Sequence, residues 1–154
     1  MLANKVKEIL KGREYLNVAT CDFHGQPNSA PKFLLKCHGT FLYLVDYTIG
    51  TTYRNLKVNP KVSLSFIDLN SLTGYQVNGS AHIISGGAEY NRMRKELRRK
   101  EVLLSTKRII EGVRGSKKYK NFEIAIPDEI VIFKVRVKEV VAILLSGQLE
   151  REQI

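Results

Sequence analysis

The residues best suited to chemistry lie just after Gly50, where Thr51, Thr52 and Arg54 occur within five positions. Residues 51–58 are predicted to form a short helix, and a proline two positions after it would end it. A helix N-terminus offers free N–H groups and a partial positive charge, both of which favour an anion. The two hydroxyls can donate to a phosphate or cap the helix, and glycine lets the backbone approach closely. The residues alone are compatible with two interpretations, a plain helix cap and a phosphate site.

Two lysines on a predicted strand offer further positive charge. Lys32 and Lys36 are four positions apart, so a regular strand would place them on one face. Such a pair suits an anion, although edge strands also use lysine to prevent aggregation. Asn55 is either exposed with Arg54 or a structural bridge. Tyr47 either packs or contacts a flat ligand.

Other catalytic chemistries lack their patterns. His24, His38 and His82 are scattered without metal-ligand spacing, and no nucleophile elbow, P-loop or dinucleotide glycine motif occurs. We therefore predict no metal site and identify no catalytic residue. Cys21 and Cys37 do not have the spacing of a redox or zinc pair and are predicted to be small buried thiols.

Length and composition indicate one domain with a real core. The chain has 154 residues, of which 44% are hydrophobic and 26% charged, and these values argue against wholesale disorder. No apolar run approaches the roughly 18 to 20 residues of a membrane span. The first thirteen residues are amphipathic and lack a signal-peptide core. We expect a cytoplasmic protein.

The net charge of +10 is concentrated in residues 88–120, which contain twelve Lys and Arg against four Asp and Glu. Residues 89–113 are predicted to be helical, either as one helix or broken near Ser105-Thr106. An apolar stripe is predicted at Tyr90, Met93, Leu97, Leu104 and Ile109. The basic side chains are either the solvated face of a packed helix, a nucleic-acid surface from Arg92 to Arg114, or a site for an anionic substrate or cofactor tail.

The remaining chain alternates strands and tight turns. A helix is predicted over residues 2–10 with a stop at Gly12. Strands are predicted at 15–22, 28–37, 41–47, 61–68, 74–84, 122–126 and 130–140, with a bulge or close contact at Gly79. Short hairpin links indicate antiparallel pairing. We predict a mainly β fold: a six- to seven-stranded antiparallel barrel with flanking helices.

Six motifs occur in order: Asn17-Val-Ala-Thr-Cys-Asp22, Gly25-Gln-Pro27, Ser29-Ala-Pro-Lys-Phe33, Phe41-Leu-Tyr-Leu-Val-Asp46, Tyr53-Arg-Asn-Leu-Lys-Val-Asn-Pro-Lys-Val-Ser-Leu64 and Gly74-Tyr-Gln-Val-Asn-Gly-Ser-Ala81. Their order and spacing resemble the pyridoxamine 5′-phosphate oxidase-like, FMN-binding split-barrel family. The resemblance covers residues 1–84 well and the last strand loosely, and the segment from Arg54 to Ser63 is its most specific part.

The resemblance implies a flavin-dependent oxidoreductase of unknown substrate, with FMN in a groove at a homodimer interface. It implies a flavin ring along the second and third strands and a phosphate near the start of the short helix. The implied ring and ribityl contacts are Ala30, Pro31, Lys32, Phe33, Val45, Asp46 and Tyr47. The implied phosphate contacts are Thr51, Thr52 and Arg54, with Lys32 or Lys36 adding charge.

The chain also departs from the family pattern. Gly50-Thr51-Thr52 stands where many members carry a cationic cluster, so two cations are missing from the expected phosphate site. The chain has no tryptophan and ends soon after its last predicted strand, which argues against a genuine pyridoxamine phosphate oxidase. The basic helical segment has no evident counterpart. Two alternatives stay open: the same barrel with F420 or haem, and a non-enzymatic nucleic-acid or anion-binding module.

Overall fold

A computed structural model describes residues 2–115, 117–121 and 127–154 of the chain. The predicted strand at 122–126 lies outside these residues. The elements in chain order are α1 (Leu2–Lys11), β1 (Tyr15–Cys21), β2 (Pro27–His38), β3 (Phe41–Asp46), α2 (Thr51–Val58), β4 (Lys61–Asp68), β5 (Thr73–Ile84), α3 (Gly87–Val113), β6 (Val131–Ile143) and β7 (Leu149–Gln153).

The strands form a closed antiparallel barrel, which confirms the predicted fold class. Their order is β3-β2-β1-β4-β5-β6-β7, and β3 also pairs with β6, so six strands close on themselves. Strand β7 pairs along β6 as an additional seventh strand. The sequence prediction lacked β7, which follows a turn at Gly147 with positive φ.

Alternating side chains fill the barrel. In β4, Val62, Leu64 and Phe66 are buried, as the sequence pattern predicts. The amphipathic helix α1 adds Leu10 to the same cluster, and α2 adds Leu56. A strand whose alternate residues enter the core has its register fixed, because a one-residue shift would expose them all.

A second apolar cluster lies outside the barrel, beneath α3. Met93 and Leu97 are almost completely buried there, against β2, β3 and β6. The helix is continuous from Gly87 to Val113, so the break considered near Ser105-Thr106 does not occur. The end of the predicted stripe is also corrected, since Ile109 is 50% exposed.

A bulge in β2 changes which way its side chains point. Leu34 is opposite Leu44, but Lys36 is opposite Tyr43, so Leu35 is the extra residue. A bulge of this kind reverses the inside–outside alternation. Lys36 therefore lies on the outer face and Lys32 inside, and the prediction that they share a face is wrong.

The predicted irregularity at Gly79 is confirmed, because the pairing of β5 with β6 shifts between Asn78 and Gly79. A Cβ atom on Gly79 would collide with the carbonyl of Arg136. The burial prediction for the thiols is only partly met, since Cys21 and Cys37 are both of intermediate exposure. In the described part of the chain, no helix is both long enough and apolar enough to cross a membrane.

Candidate functional site

Strands β2 and β3 separate next to the start of α2. Their pairing ends at Phe33 opposite Val45. One step further, Nζ of Lys32 lies 2.6 Å from Oδ2 of Asp46, and both side chains are 9% exposed. The backbone N–H and the hydroxyl of Thr48 donate to Oδ1 of Asp46. A buried ion pair therefore bridges the gap between the strands.

The N-terminus of α2 lies beside this gap and begins at Thr51, as predicted. Its N-cap residue is Gly50, and no side chain makes a cap hydrogen bond there. The first N–H groups of a helix have no intrahelical acceptor. Arg54 donates from Nη2 to the hydroxyl of Thr51 at 3.1 Å, and both residues are exposed. An anion at this position would meet free amides, a hydroxyl and a guanidinium.

Two amides fasten α2 to the barrel. Asn28 donates to the hydroxyl of Thr52 at 3.2 Å, so buried Thr52 is tied to the first residues of β2. Asn55 is buried and donates to the hydroxyl of Thr20 at 3.1 Å. Asn55 is therefore the structural bridge that the sequence left open as an alternative, and Arg54 remains as the exposed polar group of this helix turn.

Three predicted contacts lie under α3. Phe33 and Val45 are 3% and 1% exposed and pack with Met93 in the outer cluster. Nζ of Lys36 forms an ion pair with Glu96 of α3 at 2.8 Å. In the single chain these three residues hold the helix to the barrel.

An aromatic rim marks where α3 leaves the outer face. The rings of Tyr15 and Phe33 meet edge to face at 5.6 Å, and Phe33 and Tyr47 lie 6.5 Å apart. Burial, followed by the electrostatic effects of Tyr15 and Glu101, raises the pKa of Tyr47 to about 12. Tyr47 is only partly covered, so part of this residue is accessible from solvent.

A flat surface of small side chains extends from this rim across three strands. We call it the shelf. Its members are exposed or half-buried and share the outer face by their register: Asn17 and Ala19 on β1, Ser29 and Pro31 on β2, and Ser63 and Ser65 on β4. Ala30 faces the other way, because it lies opposite the buried Val18. Among the predicted ring contacts, Pro31 and Tyr47 are the ones that reach this open surface.

A groove of about 620 Å³ continues from the shelf and was not predicted. Its polar wall is a chain of hydrogen bonds from Ser63 to Asn78 at 2.8 Å and from Asn78 to Glu139 at 2.7 Å. The bond from Asn78, followed by the one from Arg151, lowers the pKa of Glu139. Gln153 of β7 also donates to Glu139. No local motif could reveal this wall, since strands distant in sequence supply it.

Solved structures with the same fold include proteins of known ligand class. A Clostridium acetobutylicum protein related to general stress protein 26 matches with a TM-score of 0.69 and 18% identity over 98% of this chain and 93% of that one. An FMN-binding protein from Nostoc punctiforme, related to pyridoxamine 5′-phosphate oxidase, matches with a TM-score of 0.58 and 14% identity, covering 99% and 94%.

Two other ligand types occur among such structures. An F420 reductase matches with a TM-score of 0.56 and 22% identity over 87% of this chain and 94% of that one. A haem-binding protein from Mycobacterium smegmatis matches with a TM-score of 0.66 and 17% identity over 99% of this chain and 58% of that one. At these identities the likeness establishes the fold.

Comparison of the sequence with family models identifies the family. No curated protein matches it. The family model described as pyridoxamine 5′-phosphate oxidase matches residues 2–140, which is most of the chain. The match spans the barrel strands β1 to β5, the α2 terminus and most of β6. This chain belongs to the pyridoxamine 5′-phosphate oxidase family.

Proposed function

We propose that this protein binds FMN and acts as a flavin-dependent oxidoreductase, with the cofactor at the interface of a homodimer. The family membership and the FMN-binding relative from Nostoc punctiforme support the proposal. FMN, when bound, supplies the ring that takes up or gives up the electrons, and the protein supplies position and electrostatics.

The observation that carries the proposal is the uncapped N-terminus of α2. Gly50 contributes no side-chain acceptor, so the first amides of the helix are open to an anion. The exposed Thr51 and Arg54 add a hydroxyl and a cation. We assign the FMN phosphate to this terminus. Thr52 acts indirectly, because its hydroxyl accepts from Asn28 and holds the helix in place.

We assign the ring to the shelf. Pro31 and its neighbours have small side chains, so a flat aromatic system can lie against the strands without displacing a bulky group. Tyr47 offers an aromatic edge at one end. Asn28, which contacts Thr52, precedes Ser29 of the shelf by one residue, so the backbone at the start of β2 links the two proposed subsites, although the two side chains leave the strand on opposite faces. A second copy of the chain would close over the ring and exclude water.

Lys32 and Asp46 have a supporting role in this assignment. Their buried ion pair holds β3 and the segment leading to α2 next to β2. They therefore position Thr51 and Tyr47 relative to Pro31. The three residues beneath α3, Phe33, Lys36 and Val45, fix the outer helix and the aromatic rim in the same way.

A second candidate is F420 on the same barrel, favoured by the exposed basic face of α3. Arg92, Lys95, Arg98 and Arg99 are all exposed there, and a row of cations suits a cofactor with an anionic tail. The F420 reductase among the similar structures supports this alternative. Haem is a third ligand to test because of the mycobacterial relative.

The deciding experiment is a visible spectrum of the purified protein before and after addition of FMN and removal of free flavin. The proposal expects a retained flavin absorbance near one equivalent per chain and a dimeric mass by sedimentation. Thermal unfolding with FMN, F420 and haem ranks the ligands, since a ligand specific to the native state raises the Tm. A colourless protein whose Tm responds to none of the three would refute the cofactor assignment.

A further inference from the structure

A second pocket lies away from the shelf, between α1, β2 and α3. Its volume is about 400 Å³, which is within the usual range of small-molecule sites. Lys7 and Lys11 of α1, Lys36 of β2 and Lys100 of α3 all line it, together with the thiol of Cys37. Four ammonium groups from three elements therefore meet around one cavity.

Three of these ammonium groups face the same thiol. Burial raises the pKa of Cys37, and the positive charges of Lys100, Lys7 and Lys11 oppose that rise. Burial also lowers the pKa of Lys100, whose charge is partly removed from water. An anion placed among these lysines would be attracted by each of them.

Lys100 is held in position by the bulge of β2. Its Nζ donates to the carbonyl of Leu34 at 2.6 Å and to that of Leu35 at 3.2 Å. An ammonium group has three donors, so these two bonds leave one N–H without a carbonyl partner, and the same Nζ lies 5.0 Å from the centre of the Phe33 ring. The bulge that separates Lys32 from Lys36 thus also exposes the carbonyls that fix this cation at the pocket wall.

Few negative charges oppose the lysines, and the carboxylate of Glu14 acts on Lys100 from outside the pocket lining. Glu8 is the carboxylate that lines the pocket, and it pairs with Lys11 at 2.7 Å although both side chains are about 70% exposed. Such an exposed pair contributes little and is readily displaced. Glu96 neutralises Lys36. Among the described residues, Lys7 forms no ion pair with any carboxylate.

We propose that this pocket is a binding site for a small molecule bearing a phosphate or diphosphate group, separate from the FMN site. Lys7, Lys11 and Lys100 bind the phosphate oxygens as point charges. The aliphatic side chains of Leu10 and Leu35 contact the less polar part of the ligand. The site does not depend on whether the shelf binds a flavin.

The test is a calorimetric titration of the full chain with inorganic pyrophosphate, in the absence and presence of excess FMN. The expected result is one site per chain in both conditions. K7A/K11A should weaken binding about tenfold, since each exposed cation adds a modest attraction. The matched control K5A/K118A removes the same charge from exposed positions outside the pocket and should change affinity less than twofold.

Alkylation of the two thiols locates the site. Pyrophosphate should slow modification of Cys37 at least fivefold and leave Cys21 unchanged, because Cys21 lines the other groove. If Cys37 reacts too slowly to be followed, the pyrophosphate affinities of the two double variants decide whether the ligand binds in this pocket. Absence of pyrophosphate binding, loss of binding when FMN is added, or equal weakening of binding in K7A/K11A and K5A/K118A would each overturn the proposal. A colourless protein that still binds pyrophosphate would refute the flavin assignment alone.

Discussion

Removing one partner of the Lys32–Asp46 ion pair is expected to destabilise the protein strongly. The two charged atoms lie 2.6 Å apart and both side chains are 9% exposed, so a lone charge cannot reach water. Breaking such a pair costs about 3 to 5 kcal/mol. Asp46→Leu also removes two hydrogen bonds from Thr48, each worth about 1 kcal/mol. We expect a loss of about 4 kcal/mol for Lys32→Met and somewhat more for Asp46→Leu.

The double variant K32M/D46L distinguishes the charge from the packing. It leaves no buried charge and fills the gap with apolar side chains, a change that is often close to neutral. Allowing for the lost Thr48 bonds, we expect it within about 2 kcal/mol of the wild type. Guanidinium unfolding followed by circular dichroism measures the free energy of unfolding of all three variants. The midpoint concentration of denaturant should shift while the m-value stays constant.

The same variants separate structural support from direct ligand contact. If the pair acts only by positioning the α2 terminus, K32M/D46L should retain FMN absorbance while the single variants lose it in proportion to their instability. Single variants that each cost less than about 1 kcal/mol would show that the pair is not effectively buried. A double variant as unstable as the two singles combined would refute the argument from unpaired charge.

Three further outcomes follow from individual contacts. Arg54→Ala should weaken FMN binding about tenfold or more and Arg54→Lys less, as measured by fluorescence titration, because a guanidinium binds a phosphate with two donors. Gly79→Ala should lower the Tm by several degrees, since its Cβ collides with the carbonyl of Arg136 and backbone must move. The phenol of Tyr47 should titrate near pH 12 in difference absorbance, and a titration near pH 10 would contradict its burial. Its contribution to the free energy of unfolding is present below pH 10 and is lost between about pH 10 and 12. Tyr47→Phe should abolish that pH dependence.

Local patterns in the sequence were sufficient for most of the barrel. The alternation in Lys61–Asp68 and the helix of Thr51–Val58 were predicted with the bounds that the structure has. Each depends on neighbouring residues alone: alternate apolar side chains in the strand, and a proline after the helix. The closure of the barrel also followed from short turns and the number of strands.

Features that depend on distant residues were not predicted. No glycine or proline marks the bulge at Leu35, which is secured by the carbonyl contacts of Lys100 from α3. Strand β7 contains one strongly apolar residue, Leu149, and exists because β6 offers it an edge to pair with. The sequence left a break in α3 open at Ser105-Thr106, since both are weak helix formers, but the leucines before them and the Lys and Arg after them favour a continuous helix.

The bulge in β2 also determines which of the predicted cofactor contacts face the barrel interior and which face outward. Lys32, on the N-terminal side of the bulge, and Asp46, at the end of β3, face inward and bridge the open end of the β2–β3 pair. On the outer face, Phe33 and Val45 meet α3 and become core. What remains for a ligand is the part of the outer face that α3 does not reach, together with the exposed terminus of α2. We therefore assign the ring of a flat cofactor to the shelf, which lies on this remaining part of the outer face and continues into the groove lined by Ser63 and Asn78.

Blocking the shelf should consequently abolish flavin binding without unfolding the barrel. Pro31→Trp places a large ring on an exposed position opposite Asn17, where no neighbour has to move. Val102→Trp is the matched control, since Val102 is 64% exposed on α3 and is not among the assigned contacts. We expect the first variant to lose at least 90% of bound FMN with a Tm within about 4 °C of the wild type, and the second to keep its flavin. Full flavin occupancy in a folded Pro31→Trp protein would show that the ring binds elsewhere, because a side chain of that size and a tricyclic ligand cannot share this surface.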